Sequence, residues 1–201
     1  MRTVVAVGDE NPRDGVELYW IPLGVGAGGA LVRWSGRIYE ALVATMRRRP
    51  RQDLYHSALE VHLDGVTTAI EMAPVWLRRG ERGVVAEGPV GSRLLGRSRL
   101  FRYEVRCWRG GSIPDAGAAA GGAVRVSDDA TIGRRLIDQV AAFPTCTWGR
   151  DELGTGDMWN SNSLASWLLA GAGVDLTSIG PPSGGRAPGW DAGIAVAARS
   201  R

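Results

Sequence analysis

LYHSALEVHL (54–63), DG (64–65) and VTTAIEM (66–72) together decide the fold class. The first run alternates apolar and polar residues, which is the period of a half-buried strand. Asp64-Gly65 supplies the two positive-φ residues of a type I′ turn, and the third run returns, so a β-hairpin is predicted. With a two-residue turn, Leu63 faces Val66, His56 lies opposite Ala73, and Ala58 lies opposite Glu71. Those four outer residues share one face of the ribbon. Glu71 is then the diagonal neighbour of His56, roughly 7 Å away and within side-chain reach.

Outward from the hairpin, VELYWIPL (16–23) reads as a strand and LFRYEVRCW (100–108) as another. Apolar residues at 38, 42 and 46 predict a helix over 37–49, capped by Ser35 and stopped by Pro50. Ser127 is the expected cap of a helix over 128–142 that carries Ile132, Leu136, Ile137 and Val140 on one side and ends at Pro144. Asn160 is the expected cap of a second helix over 161–170, with Gly171 and Gly173 as its terminators. The Gly- and Ala-rich stretch 109–124 reads as a flexible loop, and the Pro- and Gly-rich tail from about 176 as irregular. The segment 80–99, rich in Arg and Gly, reads equally as an ordered lid or a mobile loop. Strands and helices in this order predict one α+β domain over 1–201, an antiparallel sheet with helices packed on it.

The 44% hydrophobic and 22% charged residues exclude wholesale disorder. Two cysteines, Cys107 and Cys146, are too few and too far apart for a disulfide framework or a thiolate metal site, so a reducing, cytoplasmic setting is expected. The longest apolar run, Leu164–Val174, is about half of the ~20 residues a spanning helix needs, so no transmembrane segment is expected.

Three motifs compete for chemistry. Gly24-x-Gly26-x-x-Gly29 matches the bare dinucleotide fingerprint, but Ser35-Gly36 interrupts the helix that pattern requires, and the next strand belongs to an antiparallel hairpin. Arg47-Arg48-Arg49-Pro50-Arg51 fits a solvated helix end better than a phosphate site, and nucleic acid is not expected as a partner. His56 and His62 share a strand face, but six residues of strand separate them by roughly 20 Å, too far for one metal ion. No metal and no cofactor is expected.

The remaining candidates are His56 with Glu71, and Trp159-Asn160-Ser161-Asn162-Ser163 at the start of a helix. A carboxylate beside an imidazole fixes its tautomer and raises its basicity. A nucleophile at a helix N-terminus gains from the dipole, and nearby amides can hold an oxyanion. Taken separately, each has a plainer reading. A His and a Glu on a strand face are simply solvated, and Asn and Ser are ordinary caps. Taken together they are more specific. A strand His in YHSALEV, a polar residue on the next strand in AIEMAP, and an Asn-nucleophile-Asn helix start far downstream resemble the circularly permuted papain-like hydrolases. These include the lecithin:retinol acyltransferase group, the PPPDE isopeptidases and the permuted NlpC-type enzymes.

The resemblance implies a base at His56, an orienting residue at Glu71, a nucleophile at Ser161, and an oxyanion or substrate site at Trp159, Asn160 and Asn162. It covers 54–174 in order of elements. The expected activity is a hydrolase or acyltransferase acting on an amide, ester or thioester of a small-molecule, peptide or lipid substrate. Serine stands where that family keeps cysteine, and serine at its free pKa is a poor nucleophile. A catalytically inactive binding module on the same fold, a pseudoenzyme, is therefore the alternative. Leu164 replaces the family's aromatic position, a change that concerns packing. Cys146 is a second candidate nucleophile, read as a small buried thiol, and Cys107 reads as core. Trp190 either lies over the cleft or pads the surface.

Overall fold

The computed structural model describes residues 13–23, 52–75 and 83–199. The expected helix over 37–49, the basic run 47–51 and the glycines at 24–29 lie outside the described residues. Seven strands form one sheet: β1 (Gly15–Pro22), β2 (Asp53–Leu63), β3 (Val66–Pro74), β4 (Val84–Pro89), β5 (Arg102–Arg109), β6 (Ala123–Ser127) and the two-residue β7 (Gly185–Arg186). Their order is β4-β5-β3-β2-β1-β6, every neighbour antiparallel, with β7 joined parallel to the start of β2. Among the described residues three helices pack on the sheet in an α+β arrangement: α1 (Ala130–Gln139), α2 (Ser161–Ala172) and α3 (Trp190–Arg199). No helix among the described residues is long and apolar enough to cross a membrane.

The hairpin forms as its turn chemistry predicts. Asp64 and Gly65 both have positive φ, 50° and 76°, as a type I′ turn demands, and Leu63 pairs with Val66. The predicted register holds from there to Leu59–Ile70 and then stops. Beyond that point β3 continues along β5 while β2 continues along β1, so the expected pairs His56–Ala73 and Ala58–Glu71 do not form. Side-chain alternation gives the sheet two unlike faces. One carries Leu18, Trp20, Leu59, Val61, Ile70 and Val105 against the helices, and holds the main core. The other carries Tyr19, Ile21, Ala58 and Ala69 beneath Ile113. The stretch 109–124 is thus a packed strap rather than a flexible loop, tied down where Ala120 N–H donates to the Trp20 carbonyl at 2.9 Å.

Helix α1 begins two residues later than Asp128–Ala142 would have it, because Asp129 and not Ser127 caps it, accepting from Thr131 N–H at 2.7 Å. The last turn, Val140–Ala142, tightens to 3₁₀. Helix α2 is buried along almost its whole length, wedged between the sheet and α3, and ends at Gly173 in the left-handed conformation while Gly171 stays helical. Leu164, Leu168 and Leu169 are each at most 2% exposed, contributing about 2 kcal/mol apiece by transfer out of water.

The tail contains the main departure from the sequence reading. Residues 190–199 are helical, and Trp190 neither covers a cleft nor pads the surface. It is buried in the core with its ring centroid 4.8 Å from that of Trp20. The segment 80–99 contributes a further unexpected strand, β4, and 123–127 contributes β6. Helix α3 can lie against α2 because Gly193 has no side chain. A Cβ there would land on Ser166 Oγ and the Ser163 carbonyl oxygen. Gly193→Ala is expected to destabilise the protein by about 1–3 kcal/mol, read as a lower midpoint in urea unfolding; an unchanged midpoint would contradict this packing.

Candidate functional site

The segment Asn160–Ser166 enters the interior at the buried N-terminus of α2. A helix start leaves backbone amides without partners, and here water cannot supply them. Asn160 Oδ1 accepts from Asn162 N–H at 2.9 Å and Ser163 N–H at 3.4 Å, while Ser163 Oγ accepts from Asn160 N–H at 3.1 Å, a reciprocal capping box. The other polar atoms reach outward to the chain that leads into α3. Asn160 Nδ2 and Asn162 Nδ2 each donate to the Pro188 carbonyl at 2.8 Å. Ser163 Oγ donates to the Gly189 carbonyl at 2.8 Å, and Ser166 Oγ to the Trp190 carbonyl at 2.7 Å. Three successive carbonyls are therefore held by one polar helix turn. Asp157 completes the grip, its Oδ2 accepting from Gly189 N–H at 2.6 Å.

The same turn touches the hairpin. Asn162 Nδ2 donates to the Tyr55 carbonyl at 3.0 Å, and Ser57 Oγ to the Ser161 carbonyl at 3.5 Å. These contacts join YHS and NSN across more than a hundred residues of sequence. They occur where β2 has parted from β3, which frees the Tyr55 backbone edge for a side chain.

His56 sits between those two contacts but faces away from them. Tyr55 and Ser57 belong to the helix-covered face, so alternation turns the His56 side chain to the face it shares with Ala58 and Ile21. No hydrogen bond joins it to Ser161. Burial holds its imidazole down to about 4, with Asp115 of the strap pulling weakly upward, so it is neutral at pH 7. Glu71 is committed elsewhere. Arg106 lies opposite it on β5, donating from Nη1 to Glu71 Oε1 at 2.6 Å and from Nε to Glu104 Oε2 at 2.9 Å. The relay expected from the sequence, Ser161 to His56 to Glu71, is therefore not brought together as a chain of hydrogen bonds. Trp159 is core, stacked on Phe143 with centroids 4.9 Å apart and its Nε1 donating to the Pro144 carbonyl at 2.8 Å.

Sequence reasoning passed over a group of side chains arranged as metal ligands among the described residues, Glu17, Glu60 and His62, whose ligand atoms all lie within 4.8 Å of one another. The hairpin alone gives His62 Thr67 as its cross-strand neighbour; Glu17 comes from β1, directly opposite Glu60. Like charges across a ladder repel unless they are bridged. Tyr19 O–H lies 2.8 Å from Glu60 Oε2 and 3.3 Å from Glu17 Oε2, and Ile113 N–H donates to Glu60 Oε1 at 3.3 Å. His62 is 3.1 Å from Glu17 and 3.0 Å from Thr67. Burial, and then the bond to Glu60, push the Tyr19 phenol up, so it stays a donor. The three residues could take a divalent cation, and as they stand His62 pairs with Glu17 while Tyr19 and the Ile113 N–H hold Glu60.

Both thiols are half-buried, and burial pushes Cys107 and Cys146 up, away from a reactive thiolate. Comparison with protein-family models, curated proteins and solved structures gives no match.

Two predictions separate a clamp from a catalytic centre. Asn162→Ala strands the Tyr55 carbonyl and half of the Pro188 grip, and is expected to cost about 1–3 kcal/mol. Ser161→Ala removes an Oγ with no hydrogen bond to another described residue, and should cost less than about 1 kcal/mol. Urea unfolding of the two variants reads the order directly, and Ser161→Ala as the costlier change would reverse it.

The second prediction concerns His56. Its folded pKa lies below its unfolded value, so above pH 6.5 both states are neutral and nothing changes. As pH falls from 6.5 towards 4, the unfolded chain binds a proton the folded chain refuses, and stability is lost. Wild type should therefore lose more unfolding free energy than His56→Gln between pH of about 7 and about 5. Parallel losses would show that His56 is not held neutral by the fold.

Proposed function

We propose that this chain is a catalytically silent binding module that keeps the element order of the permuted papain-like hydrolases. The observation that carries the reading is the use made of the NSNS turn. The amides of residues 162 and 163 are taken by the Asn160 cap, and the side chains of Asn160, Asn162 and Ser163 are taken by the tail. An oxyanion site needs donors aimed at open space where charge develops, and these donors are spent on carbonyls of the chain. Ser161 is buried, without a hydrogen bond to His56, and serine without an adjacent base is inert. A His56 held near 4 is also a weak base at neutral pH.

One observation favours the other reading, a serine hydrolase or acyltransferase. The residues flanking His56 do contact the Ser161 segment, through Tyr55–Asn162 and Ser57–Ser161. A turn of His56 towards that junction would place base and nucleophile side by side.

Fluorophosphonate labelling of the purified protein, mapped by mass spectrometry, decides between the two. The binding-module reading expects no adduct at Ser161 in wild type or in His56→Ala. An adduct at Ser161 that disappears in His56→Ala establishes the serine enzyme.

A further inference from the structure

Among the described residues, β4 and its connection to β5 carry all but one of the exposed large apolar side chains. Large exposed hydrophobics among the described residues are Val84, Val85, Leu94, Leu95, Leu100 and Phe101, with Val124 the one outlier elsewhere in the chain. Leu94 is 77% and Leu100 66% exposed, values ordinary for lysine and unusual for leucine.

This is not a loop that has failed to fold inward. Two 3₁₀ turns, Leu95–Arg97 and Arg99–Phe101, are fastened through their backbones. Gly96 N–H donates to the Ser92 carbonyl at 3.2 Å, Ser98 N–H to Leu95 at 2.9 Å, and Val90 N–H to Phe101 at 2.7 Å. Gly96 lies against Pro89, where a Cβ would come within 2.6 Å of the proline Cβ. The backbone is turned in and the leucines are turned out.

Charge accompanies them. Between Glu87 and Glu104 there is no acidic residue but four arginines, 93, 97, 99 and 102. Arg93 is paired with Glu152 and Arg102 with Glu87. Arg97 and Arg99, both exposed, lie on either side of Ser98 with no ion pair among the described residues.

We infer that this protrusion is a docking surface for an anionic lipid membrane. Protruding leucines flanked by arginines that have no ion pair among the described residues match a headgroup boundary, where aliphatic side chains enter the acyl region and guanidinium groups stay with phosphates. A nucleic acid would call for stacking aromatics, of which the patch has one, Phe101.

Sedimentation of the full chain with vesicles tests this, using phosphatidylcholine alone and phosphatidylcholine mixed with phosphatidylserine. Binding is expected to the mixed vesicles, to weaken with salt, and to fall by at least about tenfold in Leu94→Ser/Leu100→Ser and in Arg97→Glu/Arg99→Glu. These positions are exposed, so unchanged thermal midpoints confirm that the variants fold. Three results overturn the inference. They are wild type that stays in the supernatant with both vesicle types, variants that bind as wild type does, and leucine-dependent self-association in analytical ultracentrifugation without lipid.

Discussion

The structure depends on the grip that one polar helix turn keeps on three carbonyls. Helix α2 is wedged between the sheet and α3, so its first turn has no water to turn to. Every polar atom brought into that space must find a partner in the chain, or it costs about 1–3 kcal/mol. Asn160 Nδ2, Asn162 Nδ2, Ser163 Oγ and Ser166 Oγ find theirs in Pro188, Gly189 and Trp190, while Asn162 Oδ1 is left without one. The exchange works in both directions. The tail supplies acceptors for a buried helix start, and the helix start fixes where the tail can become a helix. Gly189, with φ of 88°, and Gly193 permit the close approach this requires.

The two faces of the sheet solve different problems. The helix-covered face is an ordinary apolar core. The opposite face carries Glu17, Glu60, His62, Glu71, Glu104 and Arg106, ionisable groups half-buried or buried beside the strap. Buried charges persist only when paired or hydrogen-bonded. Arg106 bridges Glu71 and Glu104, while Tyr19 and Ile113 N–H hold Glu60. Such a layer fixes register, because a one-residue slip of β2 would carry Glu60 and His62 into the apolar core. Glu71, read from the hairpin as a partner for His56, belongs to this layer.

How far the sequence could be read follows from the range of each signal. Asp64-Gly65 is a local instruction, and the turn and the first pairs beside it form as read. Asn160 as a cap is equally local, and correct to the residue. The extension to His56–Ala73 failed because pairing beyond Leu59–Ile70 is decided by β1 and β5, strands remote in the sequence. Helix α3 was hidden because the Pro- and Gly-rich tail from about 176 reads as irregular, and only the crossing of α2 shows that a glycine at 193 is required. Glu17 went unnoticed for the same reason, since nothing in the hairpin announces which strand lies beside His62.

The position of His56 shows how small a change separates a clamp from a reaction centre. Tyr55 and Ser57 both reach the Ser161 segment, one through its carbonyl and one through its hydroxyl, and His56 lies between them. In a regular strand, neighbours on either side of a residue point opposite to it. The regularity of β2 through 55–62 is therefore what keeps the imidazole from the serine. A bulge at this point would add one residue to one strand and reverse the side chain. The ladder to β3 has already ended here, so a bulge would break pairing only with β1. What opposes it is the burial that holds His56 neutral beneath the strap, together with Ile21 directly across the ladder. Whether the fold presents a base to Ser161 is thus set by the backbone of β2 and by the strap that covers it, more than by the identity of the nucleophile.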